Sequence, residues 1–297
     1  MTDHRTIVAA LPKATRATLT TRSNTRGLLH LGSQVGALLV TGTYIAIQPP
    51  LWGLFILPHG ILMVFLFTLS HECTHQTPFR TPWLNDCVGV VIAPLLVLPF
   101  FWFRYFHLAH HRFTNDPERD PELADGARPT TWPDYLIYVS GWGYWRSNLT
   151  TLWRNAFGPI DAPYLPPRRH AVMRREARVL IGLYVLFAIS LLWSPLLLWL
   201  WLVPVLVAQP FLRLYLLAEH GHCPQVANML ENSRTTLTSR AVRWLAWNMP
   251  YHAEHHSYPA VPFHQLPALH ALMADDLHVV APSYTTFTKR YAGALER

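Results

Sequence analysis

Long uncharged runs alternate with polar stretches along the chain. Residues 28–47 (LLHLGSQVGALLVTGTYIAI) and 51–70 (LWGLFILPHGILMVFLFTLS) contain no Asp, Glu, Lys or Arg. A bilayer is crossed by about 20 predominantly apolar residues, so each run predicts a membrane-spanning helix. Only Gln48-Pro49-Pro50 separates them, which predicts a helical hairpin.

A second apolar region covers residues 179–212. One straight helix of that length would be about 50 Å long, whereas the hydrocarbon core is about 30 Å thick. The region therefore predicts two crossings, near 179–193 and 195–218, as a second hairpin.

Residues 88–103 (VGVVIAPLLVLPFFWF) are apolar but shorter, and Pro94 and Pro99 interrupt them. This pattern predicts a re-entrant or interfacial segment. The polar, Pro-rich residues 112–178 predict a cytoplasmic region with interfacial helices. Residues 1–27 are polar and basic and carry no signal-peptide pattern, so they predict a cytoplasmic arm.

Charge placement orients these elements. The expected outer turns, near 48–51 and 193–196, contain no Lys or Arg, whereas the segments on the other side are rich in arginine. The positive-inside rule then places the N-terminus, the middle region and the C-terminus in the cytoplasm. The arginines concerned are Arg168, Arg169, Arg174, Arg175, Arg178, Arg234, Arg240 and Arg243. The fold prediction is a single all-α integral-membrane domain, 1–297, with four transmembrane helices in two hairpins, a re-entrant or interfacial segment and a cytoplasmic helical cap.

Composition supports this interpretation. Hydrophobic residues make up 51% of the chain and charged residues 14%, against about 25% charged in average soluble proteins. The net charge of +7 would suit nucleic acid or anionic lipid. The basic residues flank apolar runs and no nucleic-acid motif is present, so a membrane is favoured and no nucleic-acid partner is expected. Cys73, Cys87 and Cys223 form no C-x-x-C and are expected to be unpaired thiols.

The chain has 17 histidines, and eight of them fall in three short clusters. These are His71-Glu-Cys-Thr-His75, His107-Leu-Ala-His110-His111 and His252-Ala-Glu-His255-His256. Residues three and four apart share a helix face, so each cluster projects two or three imidazoles in one direction. If residues 88–103 dip into the membrane without crossing it, all three clusters lie at one membrane face and meet in one site.

Eight converging imidazoles are too many for one ion, because a tetrahedral site takes four ligands. Imidazole suits iron, copper, zinc and nickel, and iron is the choice that activates dioxygen. We therefore expect two iron ions. The sequence Glu219-His220-Gly221-His222 offers a ninth ligand. His220 is preferred, although spacing leaves His222 open.

Two other interpretations remain open. His71-Glu72-Cys73-Thr74-His75 is literally H-E-x-x-H, the zinc motif of metalloproteases with the Glu as general base. A membrane protease would leave two histidine clusters without a role. A non-enzymatic metal carrier would not need its histidines divided into helical groups between apolar spans.

The three clusters resemble the histidine boxes of the membrane fatty acid desaturase superfamily. The flanks are similar too: residues 106–122 resemble the second box with its acidic tail, Ala218-Glu219-His220 the isolated ligand, and residues 248–256 the third box. The resemblance implies two irons held by nine histidines. These are His71, His75, His107, His110, His111, His220, His252, His255 and His256.

The resemblance also implies an oxidoreductase that takes electrons from a separate ferredoxin, cytochrome b5 or rubredoxin-like carrier with its reductase. The compact length is typical of bacterial members, so a bacterial inner membrane with a cytoplasmic active site is expected. The substrate is expected to be an apolar, fatty-acyl lipid that is desaturated or hydroxylated. Carotenoids, alkanes and small amines stay open as substrates of a hydroxylase or ketolase.

Metal-bound histidines usually donate their other N–H to a carboxylate or carbonyl. The residues near the boxes that suit this role are Glu72, Asp116, Asp120, Glu219, Asn248 and Glu254. A helix cap or surface ion pair is an equally ordinary role for each. A substrate tunnel is expected along the aromatic and leucine side chains of residues 88–106 and 199–217.

Overall fold

The computed structural model describes residues 3–124 and 128–296. Residues 1–2 of the expected N-terminal arm, residues 125–127 of the middle region and residue 297 lie outside the described residues. The chain is mostly helical, as predicted. The described part adds one small parallel pair of strands, β1 (Thr235–Thr236) and β2 (Val280–Ala281), which the sequence did not indicate.

The helices follow one another with short connections. The first eight are α1 His4–Ala10, α2 Lys13–Leu19, α3 Asn24–Ile47, α4 Ile56–Val64, α5 Leu66–His75, α6 Pro82–Leu96, α7 Phe100–Phe113 and α8 Pro121–Ala124. The others are α9 Trp132–Val139, α10 Trp142–Phe157, α11 His170–Ser190, α12 Val203–His220, α13 Met229–Asn232, α14 Arg240–Leu245, α15 His252–Ser257, α16 Leu266–Met273 and α17 Tyr284–Gly293. Short 3₁₀ turns lie at Trp52–Phe55, Pro167–Arg169, Phe263–Gln265 and Ala274–Asp276, and a π-helical turn at Leu198–Leu202 precedes α12.

Three helical stretches in the described residues are long and apolar enough to cross a membrane: Lys13–Ile47, Trp52–His75 and Leu198–His220. They contain the predicted span 28–47, all but the first residue of 51–70, and most of 195–218. A fourth arises if α6 and α7 are counted as one span, although they meet at a bend of 100°. Three or four candidate spans therefore agree with the predicted class of fold.

The predicted crossing near 179–193 is not among these candidates. Its helix, α11, begins at His170, nine residues before the apolar run, and Arg174, Arg175, Glu176 and Arg178 lie in its first half. The apolar part, 179–190, is about 18 Å long at 1.5 Å per residue, shorter than a hydrocarbon core of about 30 Å. The helix includes the charged stretch 170–178, whereas the sequence pattern predicted a start near residue 179.

Residues 88–103 contain the interruption that was predicted there. Val97 adopts a left-handed conformation after α6, and Pro99 precedes α7. The new helix is capped from a distance, because the Glu176 carboxylate accepts hydrogen bonds from the backbone N–H groups of Phe100 (2.8 Å) and Phe101 (3.0 Å). The charged half of α11 thus sets where α7 begins and hence where its histidines lie.

Close packing fixes α12 against α4. A Cβ on Gly60 would lie 2.1 Å from the carbonyl oxygen of Pro204, so only glycine allows this approach. In the first predicted hairpin, α3 packs on α4. The second is splayed: α11 packs on α10, and Trp201 lies between α11 and α12, stacked on Tyr184 with ring centroids 5.6 Å apart. The Nε1–H of Trp201 donates a hydrogen bond to the Leu95 carbonyl (2.9 Å), which connects this side chain to α6.

Candidate metal centre

Four helix ends bring the predicted histidines together. Helices α5 and α12 end at His75 and His220, α7 carries the second cluster in its last two turns, and α15 consists almost entirely of the third. All nine imidazoles pack in one continuous cluster. The convergence on which the two-metal hypothesis depends is therefore present in the fold.

The cluster divides into two groups. Five imidazoles, each with a ring nitrogen within 4.8 Å of one on every other, form the first: His71, His75, His107, His111 and His255. The second contains His110, His220 and His256 by the same measure, and His252 joins it because its Nε2 is 2.9 Å from that of His220. The groups are adjacent, since the rings of His111 and His256 stack with centroids 3.9 Å apart.

Helical spacing explains this division. The pairs four residues apart share a helix face and stay together: 71 with 75, 107 with 111, and 252 with 256. The remaining histidine of each H-x-x-H-H, His110 or His255, points to the other group. Each of these two clusters therefore contributes to both groups, which the sequence analysis did not foresee.

The ring nitrogens fit a metal better than they fit one another. Both nitrogens of His71, His111 and His255 are buried and make no hydrogen bond within the described residues. The Nε2 atoms of His75 and His107 lie only 2.8 Å apart. A neutral imidazole has one donor and one acceptor, and buried polar atoms without partners are costly. Cations that accept several lone pairs at once would satisfy the whole set.

Burial keeps the third cluster in the neutral form that binds metal. Desolvation, followed by the repulsion of neighbouring imidazoles, holds the pKa of His255 and His256 well below the ordinary value of 6.5. Desolvation has the same effect on the pKa of His252. At neutral pH these rings therefore present lone pairs rather than charges.

Hydrogen bonds orient the second group. His110 Nδ1 faces the buried Asp120 carboxylate, at 2.9 Å from Oδ1 and 3.1 Å from Oδ2. His220 Nδ1 is 3.0 Å from the Asn232 carbonyl, and His256 Nδ1 is 3.1 Å from Thr114 Oγ1. With Nδ1 occupied in this way, Nε2 of each ring is directed inwards.

Two further carboxylates approach the cluster at longer range. Glu219 Oε1 is 3.4 Å from His252 Nδ1, and Glu72 Oε1 is 3.7 Å from His255 Nδ1. Glu72 is fully buried, and its Oε2 accepts hydrogen bonds from Thr77 Oγ1 (3.0 Å) and the Phe263 N–H (3.1 Å). It therefore faces the outer side of an imidazole rather than an open coordination position. The protease interpretation, which needs Glu72 as general base, gains no support.

Three of the six candidate orienting residues contact none of the nine imidazoles. Asp116 pairs with Arg119 and accepts from backbone N–H groups in the turn after α7. Asn248 occupies a left-handed position, and its Nδ2 donates to the Phe263 carbonyl (3.0 Å). Glu254 points away from the site to His270. Their roles are a turn cap, a turn residue and a support behind α15.

The two alternatives for the ninth histidine occupy different environments. His220 is buried in the cluster, whereas His222 is exposed, lies in the left-handed region and stacks on Tyr291 at 4.1 Å. The backbone reverses at Gly221, where a Cβ would lie 2.4 Å from the Leu217 carbonyl oxygen. His220 therefore lies within the cluster and His222 lies outside it.

Sequence reasoning missed the partners that come from elsewhere in the fold. Thr114, Asn232 and Ser233 contact cluster imidazoles, and Glu122 Oε2 lies 3.6 Å from His110 Nδ1. Only Thr114 and Glu122, which follow the second cluster closely, carried a local signal. Asn232 reaches the site through a loop that no local pattern indicates.

A cavity of about 500 Å³ opens beside the cluster. Its apolar wall includes Leu98, Trp102, Phe103, Phe106, Leu216 and Leu217, all within the ranges expected for a substrate tunnel. Five cluster imidazoles reach it: His71, His107, His110, His220 and His252. Its other wall is polar, with Arg128, Asn148 and Arg213. Such a mixture is typical of a small-molecule site.

Apolar helices that end in a cluster of nine imidazoles indicate a membrane-associated protein whose histidines could hold metal ions. The profile of the family described as "Fatty acid desaturase" matches residues 48–288, which include all nine histidines. The chain therefore belongs to the fatty acid desaturase family.

Individual relatives are distant. The "Delta(12) fatty acid desaturase FAD2" of Calendula officinalis is 28% identical over 216 residues, covering 62% of this chain and 54% of that protein. The "Dihydrorhizobitoxine desaturase" of Bradyrhizobium elkanii is 28% identical over 233 residues, 72% and 65% respectively. The "Sphingolipid delta(4)-desaturase DES1" of Drosophila melanogaster is 23% identical over 234 residues, 77% and 68%. The chain spans about half the length of the plant desaturases it matches.

Proposed function

We propose that this chain is a membrane-bound, non-haem di-iron oxidoreductase that uses dioxygen and external electrons to desaturate or hydroxylate an apolar substrate. The observation that carries the proposal is the division of nine imidazoles, seven of them buried and two partly buried, into two adjacent groups with unsatisfied nitrogens. Five and four imidazoles would hold one iron each. Iron, when bound, supplies the activation of dioxygen and the removal of hydrogen from an unactivated C–H bond.

The protein's own residues hold and shield this chemistry. Asp120, Asn232 and Thr114 fix the rings of the second group, and Glu72 and Glu219 lie behind imidazoles where positive charge accumulates. The aromatic wall of the cavity would exclude water and align an apolar chain. No acid–base role is assigned to the histidines.

The electrons would come from a separate ferredoxin, cytochrome b5 or rubredoxin-like carrier. His75 and His111 are only partly buried, whereas the other seven imidazoles are buried, so the first group is the accessible one. The positive-inside pattern favours a cytoplasmic site, in a bacterial inner membrane.

A fatty-acyl lipid is the leading substrate class, as the names of the plant relatives suggest. A small polar substrate is the second candidate, because one wall of the cavity carries Arg128, Asn148 and Arg213. The name of the Bradyrhizobium elkanii relative gives dihydrorhizobitoxine, and not a fatty acid, as the compound it desaturates.

The test is product analysis with purified, iron-loaded protein, a reductase system and candidate substrates. A product that has lost two hydrogens indicates desaturation, and one that has gained an oxygen atom indicates hydroxylation. Metal analysis should give two irons per chain. One zinc and no iron, or equal turnover without dioxygen, would contradict the proposal.

A further inference from the structure

Arg213 is an unusual residue for its position. It is the only Lys or Arg in the candidate span Leu198–His220, and it lines the cavity beside the histidine cluster. Its Nε is buried without a hydrogen bond, and no ion-pair partner is present within the described part of the chain. A charge inside a membrane helix is expensive and usually marks a functional site.

Aromatic rings, rather than an acid, hold the guanidinium. Its central carbon lies 4.2 Å from the ring centroid of Tyr138 and 5.9 Å from that of Tyr144. The Tyr144 hydroxyl is itself fixed, since it donates to the Leu96 carbonyl (2.7 Å). Cation–π contacts of this kind stabilise the charge while leaving N–H donors free for a ligand.

A second donor on the same cavity also lacks an acceptor. The Asn148 side chain is buried, with 6% exposed, and lines the cavity. It approaches Tyr144, yet its Nδ2 has no acceptor in hydrogen-bond geometry within the described residues. Buried donors without partners are costly, so these two side chains are available to an acceptor in the cavity.

Charged side chains line the cavity both beside the histidines and farther along α12. Glu122 and Glu219 are near His110 and His252, at the metal end. Arg213 lies seven residues before His220 on α12, which is two turns and about 10 Å along the helix axis. Two carboxylates of the cavity, Glu122 and Glu219, therefore lie beside the histidine cluster, and Arg213 lies about two helical turns from it.

We propose that Arg213 and Asn148 bind the carboxylate of an unesterified, amphiphilic substrate. The inference rests on the proposed function and narrows its substrate class. A planar monoanion matches one guanidinium and one amide donor. Since Arg213 and His220 are about two helical turns apart on α12, the apolar chain of such a substrate would extend from the carboxylate site towards the histidine cluster. A lipid anchored by a distant head group would instead leave Arg213 against methylene groups.

The experiment measures binding of decanoate and of methyl decanoate to the purified full-length chain, with bound iron quantified for each variant. The wild type should prefer decanoate. Arg213→Gln should raise its dissociation constant about 10- to 100-fold, as expected for a charge-assisted hydrogen bond, and change that of the ester less than about twofold. Arg146→Gln is the matched control, because Arg146 is exposed on the neighbouring helix α10.

The preference for decanoate should survive in part in Arg213→Lys, which retains the charge. Equal binding of acid and ester by the wild type would overturn the proposal. So would an Arg213→Gln variant that keeps the preference, or one that loses iron and both ligands together. Tighter binding of decyl phosphate than of decanoate would overturn the assignment to a carboxylate.

The outcome is separable from that of the proposed function. Carboxylate preference without oxygen-dependent turnover would contradict the oxidoreductase and leave this site intact. Turnover of a neutral lipid, combined with equal binding of acid and ester, would contradict only the carboxylate site.

Discussion

Replacing Asp120 by Asn is expected to weaken one metal position and spare the other. The Asp120 carboxylate is buried and accepts from three N–H groups. These are His110 Nδ1 at 2.9 Å, the backbone N–H of Asn115 at 2.8 Å and that of Glu122 at 3.0 Å. Asp120 contacts none of the imidazoles in the first group, which contains five histidines.

The expected loss of metal affinity in Asp120→Asn follows from this geometry. An Asn side chain has one acceptor oxygen, so in either orientation its NH₂ group meets an N–H where the carboxylate had an oxygen. At least one charge-assisted hydrogen bond, about 1.5–3 kcal/mol, is lost. Loss of such an orienting partner typically costs about 10–100-fold in metal affinity, which is about 1.4–2.8 kcal/mol.

The assay is iron content at limiting free iron, measured on purified wild type, Asp120→Asn and Asp116→Asn. The Asp120 variant should bind about half the iron of the wild type, because only the four-imidazole group is disturbed. Asp116→Asn should match the wild type, since Asp116 pairs with Arg119 and touches no imidazole. Full iron retention by Asp120→Asn would refute the orienting role, and so would equal losses in the two variants.

Three other predictions follow from the same structure. His220→Ala should lower bound iron and abolish activity, whereas His222→Ala should change neither; iron analysis and turnover would decide, and the opposite pattern would exchange their roles. Gly60→Ala should lower thermal stability in detergent by about 1–3 kcal/mol, because its Cβ would meet the Pro204 carbonyl, while Gly36→Ala, with open space around it, should not. Because burial depresses the pKa of His255 in the folded chain, unfolded chains bind more protons below about pH 6.5. Chelator-treated protein should therefore melt at a lower temperature at pH 5 than at pH 7, and an unchanged melting temperature would contradict this.

The histidine cluster was predictable because its signal is local. A spacing of three or four residues fixes which imidazoles share a helix face, and apolar runs between the clusters fix how the chain can return. The structure places His220 in the cluster and His222 outside it, and the choice of His220 as ninth ligand stays a prediction. Spacing alone does not predict that His110 and His255 each join a different group from the other two histidines of their own cluster. That division depends on how α7 and α15 face each other.

The orienting residues were harder to predict. Asp120 and Asp116 are both acidic, both follow the second cluster and differ by four positions, yet only Asp120 turns towards an imidazole. The deciding factor is the turn between them, where the Asp120 backbone N–H bonds to the Asp116 carbonyl (2.9 Å). Asn248 was assigned by proximity, whereas its left-handed backbone gives it a role in the turn before α15.

Membrane elements showed the limits of hydropathy. An apolar run predicts where lipid contact is favourable but not where a helix begins. Helix α11 accordingly begins at His170, nine residues before its expected start. The separation of α11 from α12 depends on Trp201 packing against residues far away in sequence. Such contacts arise from the assembled fold and leave no periodic signature.

The length of the run Trp52–His75 has a consequence for how bilayer thickness affects the enzyme. Its 24 residues would extend about 36 Å, roughly one turn more than a typical hydrocarbon layer. If the run stands upright, the histidines at its end protrude among the head groups, and a substrate of the proposed acyl class would have to rise out of the hydrocarbon layer to reach them. A thicker bilayer would submerge that last turn and a thinner one would expose more of it. Lipid composition would then change how readily a water-soluble electron donor and an apolar substrate reach the histidine cluster.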